Sequence, residues 1–403
     1  MKNTKLLGAA ALAVFLTSVA IPAGEADGRP QTPEARTWSA KMREMEAVLR
    51  KLLLDVTNDD RFNDKRYFKE IEKNAARFAA LAHDISKGTR KSPDQDLSLE
   101  MIGSDFSEEA KYASKALADG HRAYARTMLS SMTRYCVACH TRTNGGPSFA
   151  DPGSESKIRG FDAYSRGNYF TAVREFDRAL TEYEKILADP KSVETDPMEY
   201  ERALRAGLSI AVRVKREPDL GIRLVDRVAT NAKTPYFLRE QAKDWKKSLV
   251  EWKAEKPGDL SDPSRLYAEA NRLVEKARAT QKFPTDRSAD ILYLRASGLL
   301  HELLGKKPSG LVGSNALYLT GLSYDVLDDY GIRDSAGFYY RACIRLSPHT
   351  EVSSACYRKY EEDVYFGYTG SGGTYIPSDV RARMNELESL SSVATEVKGS
   401  PLQ

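Results

Sequence analysis

Residues 136–140 read Cys-Val-Ala-Cys-His, and this string constrains the fold more than any other in the chain. On a helix, positions 136, 139 and 140 fall on one face. Two thiols and an imidazole therefore project together into whatever surrounds that helix. The spacing is that of c-type haem attachment: two thiols add across the two vinyl groups of one porphyrin, and the adjacent imidazole reaches the iron. A zinc half-site would need a second ligand pair, and neither Cys343 and Cys356 nor the other histidines supply an obvious one. A redox dithiol of the Cys-x-x-Cys kind would need a βαβ pattern around it, and no strand pattern is visible. The expectation is one covalent haem c, attached through Cys136 and Cys139, with His140 on the iron.

Haem of this type is attached outside the cytoplasm, and the start of the chain agrees. Lys2 and Lys5 form a basic region, Leu6 to Ala20 is apolar, and small residues offer cleavage after Ala20 or Ala23. This pattern predicts a signal peptide over 1–23, too short in its apolar run to span a bilayer. Nothing later approaches the roughly 18 apolar residues of a membrane helix, so the expectation is a soluble periplasmic protein with no integral membrane span. At 403 residues, with 41% hydrophobic and 29% charged side chains, the chain has room for two or three globular domains. The net charge of +4 comes without a basic block, which argues against a nucleic-acid partner.

Almost everything else reads as helix. Trp38, Met42, Met45, Leu49, Leu52 and Val56 alternate steps of four and three, one continuous stripe. A second helix is predicted over about 64–86, with Phe68, Ile71, Ala75, Phe78, Ala82 and Ile85 on one side. A polar loop comes next; a third helix opens near Asp105 or Ser107, either of which can cap it, and ends at Gly120. The fourth carries Tyr124, Met128, Met132, Tyr135 and Cys139 and stops at Asn144-Gly-Gly-Pro147. Four helices joined by short connections predict an antiparallel bundle over 24–148. The glycine-, proline- and serine-rich stretch around 149–156 reads as a linker.

With the haem motif in its last helix, residues 32–143 resemble the class II c-type cytochromes, the cytochrome c prime group of four-helix bundles. The segment Ala40-Lys41-Met42-Arg43-Glu44-Met45 is similar to the first-helix segment that faces the distal side of the iron in that family. The resemblance implies Met42 as sixth iron ligand, with Met45 on the same stripe, His83 or His121, or an open iron as alternatives. Met128 and Met132 share a helix with the proximal ligand and cannot easily reach the far face. Met198 lies downstream where other c-type domains take a methionine, but a helical repeat intervenes. The chain departs from the family at Arg142, two residues after His140, where the family places an arginine about four on. With the helix cut short, the haem edge is either more exposed or covered by the next domain.

From Gly160 onward the pattern changes. Gly160, Gly167, Tyr169, Ala172, Phe176 and Ala179 resemble the tetratricopeptide repeat (TPR), in which small residues let paired helices approach and aromatics fill the gap. The closing Pro190 comes late, implying a second helix about six residues longer than the repeat norm. A second unit is carried by Gly321, Tyr324, Ala336, Tyr340, Cys343 and Pro348, with a turn about three residues longer than usual. Helices are expected between them at about 198–215, 219–230, 234–254, 263–281 and 286–304, giving TPR-like segments over 157–255 and 256–395 and a tail at 396–403. Cys343 falls on the second helix of the later unit and Cys356 early on the next. A disulfide between them is reasonable, two buried thiols being the alternative. Residues 367–379 are glycine-rich but lack the Lys-Ser/Thr of a phosphate loop, and read as a turn before a last helix.

The expected class is all-α: a bundle with one haem, then a TPR-like array. The expected role is an exported monohaem electron carrier, not an enzyme, docked to a protein redox partner through the repeats. The alternatives are a haem sensor of small gases with the repeats as output, and a scaffold in which the haem is structural.

Overall fold

The computed structural model describes residues 33–91, 97–142, 148, 156, 158–256, 258–330 and 336–393. The expected signal peptide 1–23, nearly all of the expected linker 149–156, the expected helix stop at 144–147 and the expected tail 396–403 lie outside them. The described chain is all-α; its one sheet is a two-residue antiparallel pair, β1 (Thr369–Gly370) with β2 (Gly373–Thr374), in the glycine-rich turn.

The helices that surround the Cys-x-x-Cys-His string are α1 (Pro33–Thr57), the short α2 (Asp59–Asn63), α3 (Phe68–Lys91), α4 (Leu97–Ala118), α5 (Arg122–Ser131) and α6 (Thr133–His140). α1 packs on α3, α3 on α4, α4 on α5, and α5 back on α1. The α1 and α3 stripes lie in the shared core, where Leu49, Leu52, Ile71 and Phe78 are essentially solvent-free. Gly120 ends the α4 region with a positive φ of 84°, a conformation that glycine adopts without strain.

Two boundaries differ from the sequence reading. α4 starts at Leu97, so Asp105 and Ser107 sit inside it and cap nothing. The burial of Ile102, Phe106, Ala110, Ala113 and Leu117 supplies the reason: their three-and-four spacing extends a packed face upstream of the cap candidates, and packing outweighs cap preference. The fourth helix is broken at Met132 into α5 and α6, and its buried face runs through Ala125, Leu129, Met132 and Tyr135, leaving Tyr124 exposed.

The rest of the chain is a succession of helices: α7 (Ala163–Ala172), α8 (Phe176–Ala188), α9 (Ser192–Thr195), α10 (Pro197–Leu208) continued by a π-helical segment (Ser209–Lys215), α11 (Pro218–Thr230), α12 (Tyr236–Ala254), α13 (Pro263–Thr280), α14 (Asp290–Gly305), α15 (Gly310–Val326), α16 (Ala336–Leu346), α17 (Glu351–Gly367) and α18 (Ser378–Ser391). Starts are set locally: the side chains of Asp162, Asp196 and Asp262 accept backbone N–H bonds at the heads of α7, α10 and α13, with proline in the first turn of the last two. Neighbouring helices pack in sequence order through most of this region, and α16 returns to pack on α4.

Two helix pairs share one device. In α7–α8, Gly167 faces Tyr183 so closely that a Cβ would stand 2.5 Å from its ring, and Tyr164 packs on the same ring at 6.2 Å. In α15–α16, a Cβ on Gly321 would likewise run into the Tyr340 ring, and Tyr318 packs on that ring at 6.3 Å. Each tyrosine hydroxyl is taken up by the facing helix, Tyr183 by Asn168 at 2.8 Å and Tyr340 by Asp325 at 2.6 Å. The extra length expected in the second helix of the first unit is not there. α7 runs on past Gly167, the turn falls at 173–175, and α8 is 13 residues long.

Cys343 and Cys356, both fully buried, are bonded across α16 and α17 with an S–S distance of 2.01 Å and Cα atoms 6.4 Å apart. Closing a loop of this size restricts the unfolded chain. Changing both residues to alanine is expected to lower stability by about 3 kcal/mol, read as a lower urea midpoint, and reductant should then shift the wild-type midpoint alone.

Candidate functional site

Cys136, Cys139 and His140 all border one cavity of about 300 Å³, partly open to the surface. α6 brings them there together because their spacing places them on one helical face. α1 contributes Met42, Met45, Glu46 and Leu49; α3 and α4 add Ile85, Leu99, Ile102 and Phe106; and Ala172, Val173 and Arg174 from the α7–α8 turn complete the lining. The walls are mainly apolar, and the volume lies at the small end of the roughly 300–1,000 Å³ usual for cofactor pockets.

Both candidate methionines are present, Met45 almost fully buried and Met42 half-buried. The other candidates are elsewhere. His83 and His121 are exposed and do not line the cavity, Met132 is buried at the α5–α6 break, and Met198 lies 59% exposed on a separate pocket.

His140 donates from Nδ1 to the carbonyl of Ala172 at 2.5 Å. With that proton fixed, the second ring nitrogen, Nε2, carries the lone pair a metal takes. Burial, with the Arg174 charge acting in the same direction, pulls the imidazole pKa down to about 4 against the opposing pull of the Ala172 bond. The ring is therefore neutral at physiological pH, the form that ligates metals. Burial and the neighbouring Cys139 push the Cys136 thiol up to about 12. That is opposite to a redox dithiol, whose attacking cysteine is lowered. Cys136 and Cys139 are half-buried and not bonded to each other. Among the described residues no group of three or more His, Cys, Asp or Glu side chains is placed to hold a bare metal ion.

The mainly apolar lining suits an apolar group better than a solvated ion. Two thiols and a neutral imidazole lie on one wall, thioethers come from another helix, and one side opens to solvent.

Three contributors were not foreseen. Glu46 is buried at the cavity, accepting from Arg50 Nε at 2.9 Å and from Tyr169 Oη at 2.6 Å; its i,i+4 spacing to Arg50 was the available signal. Ala172 acts through a backbone carbonyl, which leaves no trace in sequence. Arg174 reaches in from a turn and donates from Nη1 to the His140 carbonyl at 2.8 Å. Arg142, the arginine at the unexpected spacing, is buried and donates from Nη2 to Tyr339 Oη at 2.9 Å, tying the end of α6 to α16.

Comparison with protein families, with curated proteins and with solved structures finds no match to this chain. No helix among the described residues is long and apolar enough to cross a membrane.

Proposed function

We propose that the protein is an exported, periplasmic monohaem cytochrome whose N-terminal region is a class II-like four-helix bundle, and that it carries electrons within a protein assembly. The observation that carries this reading is the convergence of Cys136, Cys139, His140 and two methionines on a single apolar cavity. There Cys136 and Cys139 would hold one haem c through thioethers, and His140 Nε2 and Met42 would be the side chains that bind its iron. The haem supplies a one-electron iron couple, and a His/Met pair keeps its coordination the same in both oxidation states at a raised potential. The chain's own residues exclude water along the α1, α3 and α4 walls and hold the His140 proton on Nδ1.

The TPR-like region serves as the docking surface in this reading. Its support is a groove of about 910 Å³ bordered by Trp252, Leu260, Leu273 and Leu299, with Arg216, Lys253, Arg265 and Arg272 around it. Such a groove along a helical array suits a segment of a partner protein.

The test is the visible spectrum of the full chain expressed with a haem-attachment apparatus. A six-coordinate low-spin spectrum is expected, converting to high-spin in Met42→Ala and surviving in Met45→Ala. High-spin iron in the wild type that takes up CO without displacing a ligand would overturn the electron-carrier reading in favour of a gas binder.

A further inference from the structure

His140 is held at two points, and both come from the first helix pair of the repeat region. Its ring donates to the carbonyl of Ala172, at the C-terminal end of α7, where the helix dipole makes carbonyls stronger acceptors. Its own backbone carbonyl accepts from Arg174 Nη1. Arg174 has a positive φ of 67°, an uncommon left-handed conformation for a residue with a Cβ. It is kept there by a tight turn, with Arg174 N donating to Thr171 O at 3.1 Å and Glu175 N to Phe170 O at 2.8 Å. The turn is clamped to the far wall as well, because Tyr169, one turn earlier on α7 and fully buried, donates to Glu46 of α1. Strained conformations of this kind persist where the surroundings over-determine them, and they cluster at working sites.

The geometry points to the α7–α8 turn as part of the haem centre, with Arg174 a positioning residue that sets the electron affinity of the iron. The inference rests on the haem reading and goes further: the repeat region is not only a docking surface but tunes the redox group. The physical reason is direct. A fixed positive charge bordering the cavity favours the iron state with one more electron, and its effect is large because the site is partly shielded from water. The same guanidinium, through the His140 carbonyl, keeps the end of α6 in register with the turn that fixes the imidazole proton.

The test uses the full-length holoprotein, titrated with dithionite against one-electron mediator dyes while the haem spectrum reports the fraction reduced. Arg174→Gly removes the charge and suits the backbone at this φ, and its urea midpoint shows whether the fold is kept. Arg174→Gln removes the charge alone, and Arg174→Lys keeps it. Arg174→Gly and Arg174→Gln are expected to lower the reduction potential by on the order of tenfold in the equilibrium, about 59 mV for one electron. Arg174→Lys should retain most of the wild-type value, and Lys185→Gln, on an exposed part of α8, all of it. An unchanged potential in Arg174→Gly, with haem attached and the chain folded, overturns the inference and leaves the haem reading standing. A wild type that takes up no haem overturns both. Arg174→Gly that is as stable as wild type but lower in potential rules out a merely structural role.

Discussion

Replacing Cys136 and Cys139 together by serine is expected to abolish covalent haem completely. The attachment chemistry needs a sulfur nucleophile at each vinyl group, and serine oxygens do not add under the same conditions. The packing change is small, since both side chains are half-buried and border a cavity instead of filling a core. Mass spectrometry of the denatured protein should show the mass of the bare chain, and the haem absorbance should extract into acidified organic solvent. Each single serine variant is expected to keep the haem on one thioether, with a shifted alkaline-pyridine spectrum. His140→Ala should keep the thioethers and lose the low-spin iron. The idea is wrong if the double variant retains a covalent haem, or if the wild type denatured in acid has the mass of the unmodified chain.

How legible this was in the sequence depends on where each interaction lives. That Cys136, Cys139 and His140 reach one cavity is readable because their separations put them on one face of a helix. The α1 and α3 stripes are readable for a similar reason: burial of one helical face leaves a three-and-four rhythm, as from Met45 through Leu49 and Leu52 to Val56. Gly167 and Gly321 could be singled out because a close approach of two helices excludes a Cβ, whichever turn lies nearby. What failed was local. Asp105 looks like a cap, yet its helix began upstream because Ile102 and Phe106 pack. The break at Met132 has no glycine or proline to announce it.

The cavity's third wall was the least legible part. It depends on a backbone carbonyl at Ala172, on an arginine in a strained turn, and on the return of a later helix pair to the first. Tertiary placement makes these contacts, and neither composition nor periodicity encodes them. The same is true of Arg142, whose spacing from His140 looked like a departure from a family pattern. In the structure its guanidinium has a destination, Tyr339 of α16. The expected linker between two modules therefore joins regions that also touch at α6–α7, at Glu46 with Tyr169, and at α4–α16.

Asp290→Ala is expected to be the most destabilising single change among helices α7 to α18, by about 3–5 kcal/mol. Asp290 has no exposed surface and sits in the first turn of α14, where the helix dipole already favours a carboxylate. Its Oδ2 accepts from Arg205 Nη1 at 3.3 Å, and Arg287 Nε stands 3.8 Å away. Arg205 is itself buried, its guanidinium over the rings of Trp245 and Tyr330 at 5.5 and 5.1 Å, with Glu201 as its other carboxylate. Burial alone would lower the Arg205 pKa, but Tyr330, Glu201 and Asp290 together hold it above its ordinary value. Removing Asp290 leaves a buried cation one carboxylate short, and desolvation that the pair offset is then uncompensated. The double change Arg205→Met with Asp290→Leu removes both charges and should recover much of the loss, because the penalty lies in the unpaired charge and not in the lost contact. Urea unfolding followed by tryptophan fluorescence reads this out, since Trp245 packs on Arg205 and its Nε1 donates to Arg287 O at 2.7 Å. Equal destabilisation of the single and double variants would show that shape, not charge pairing, holds α10 against α14.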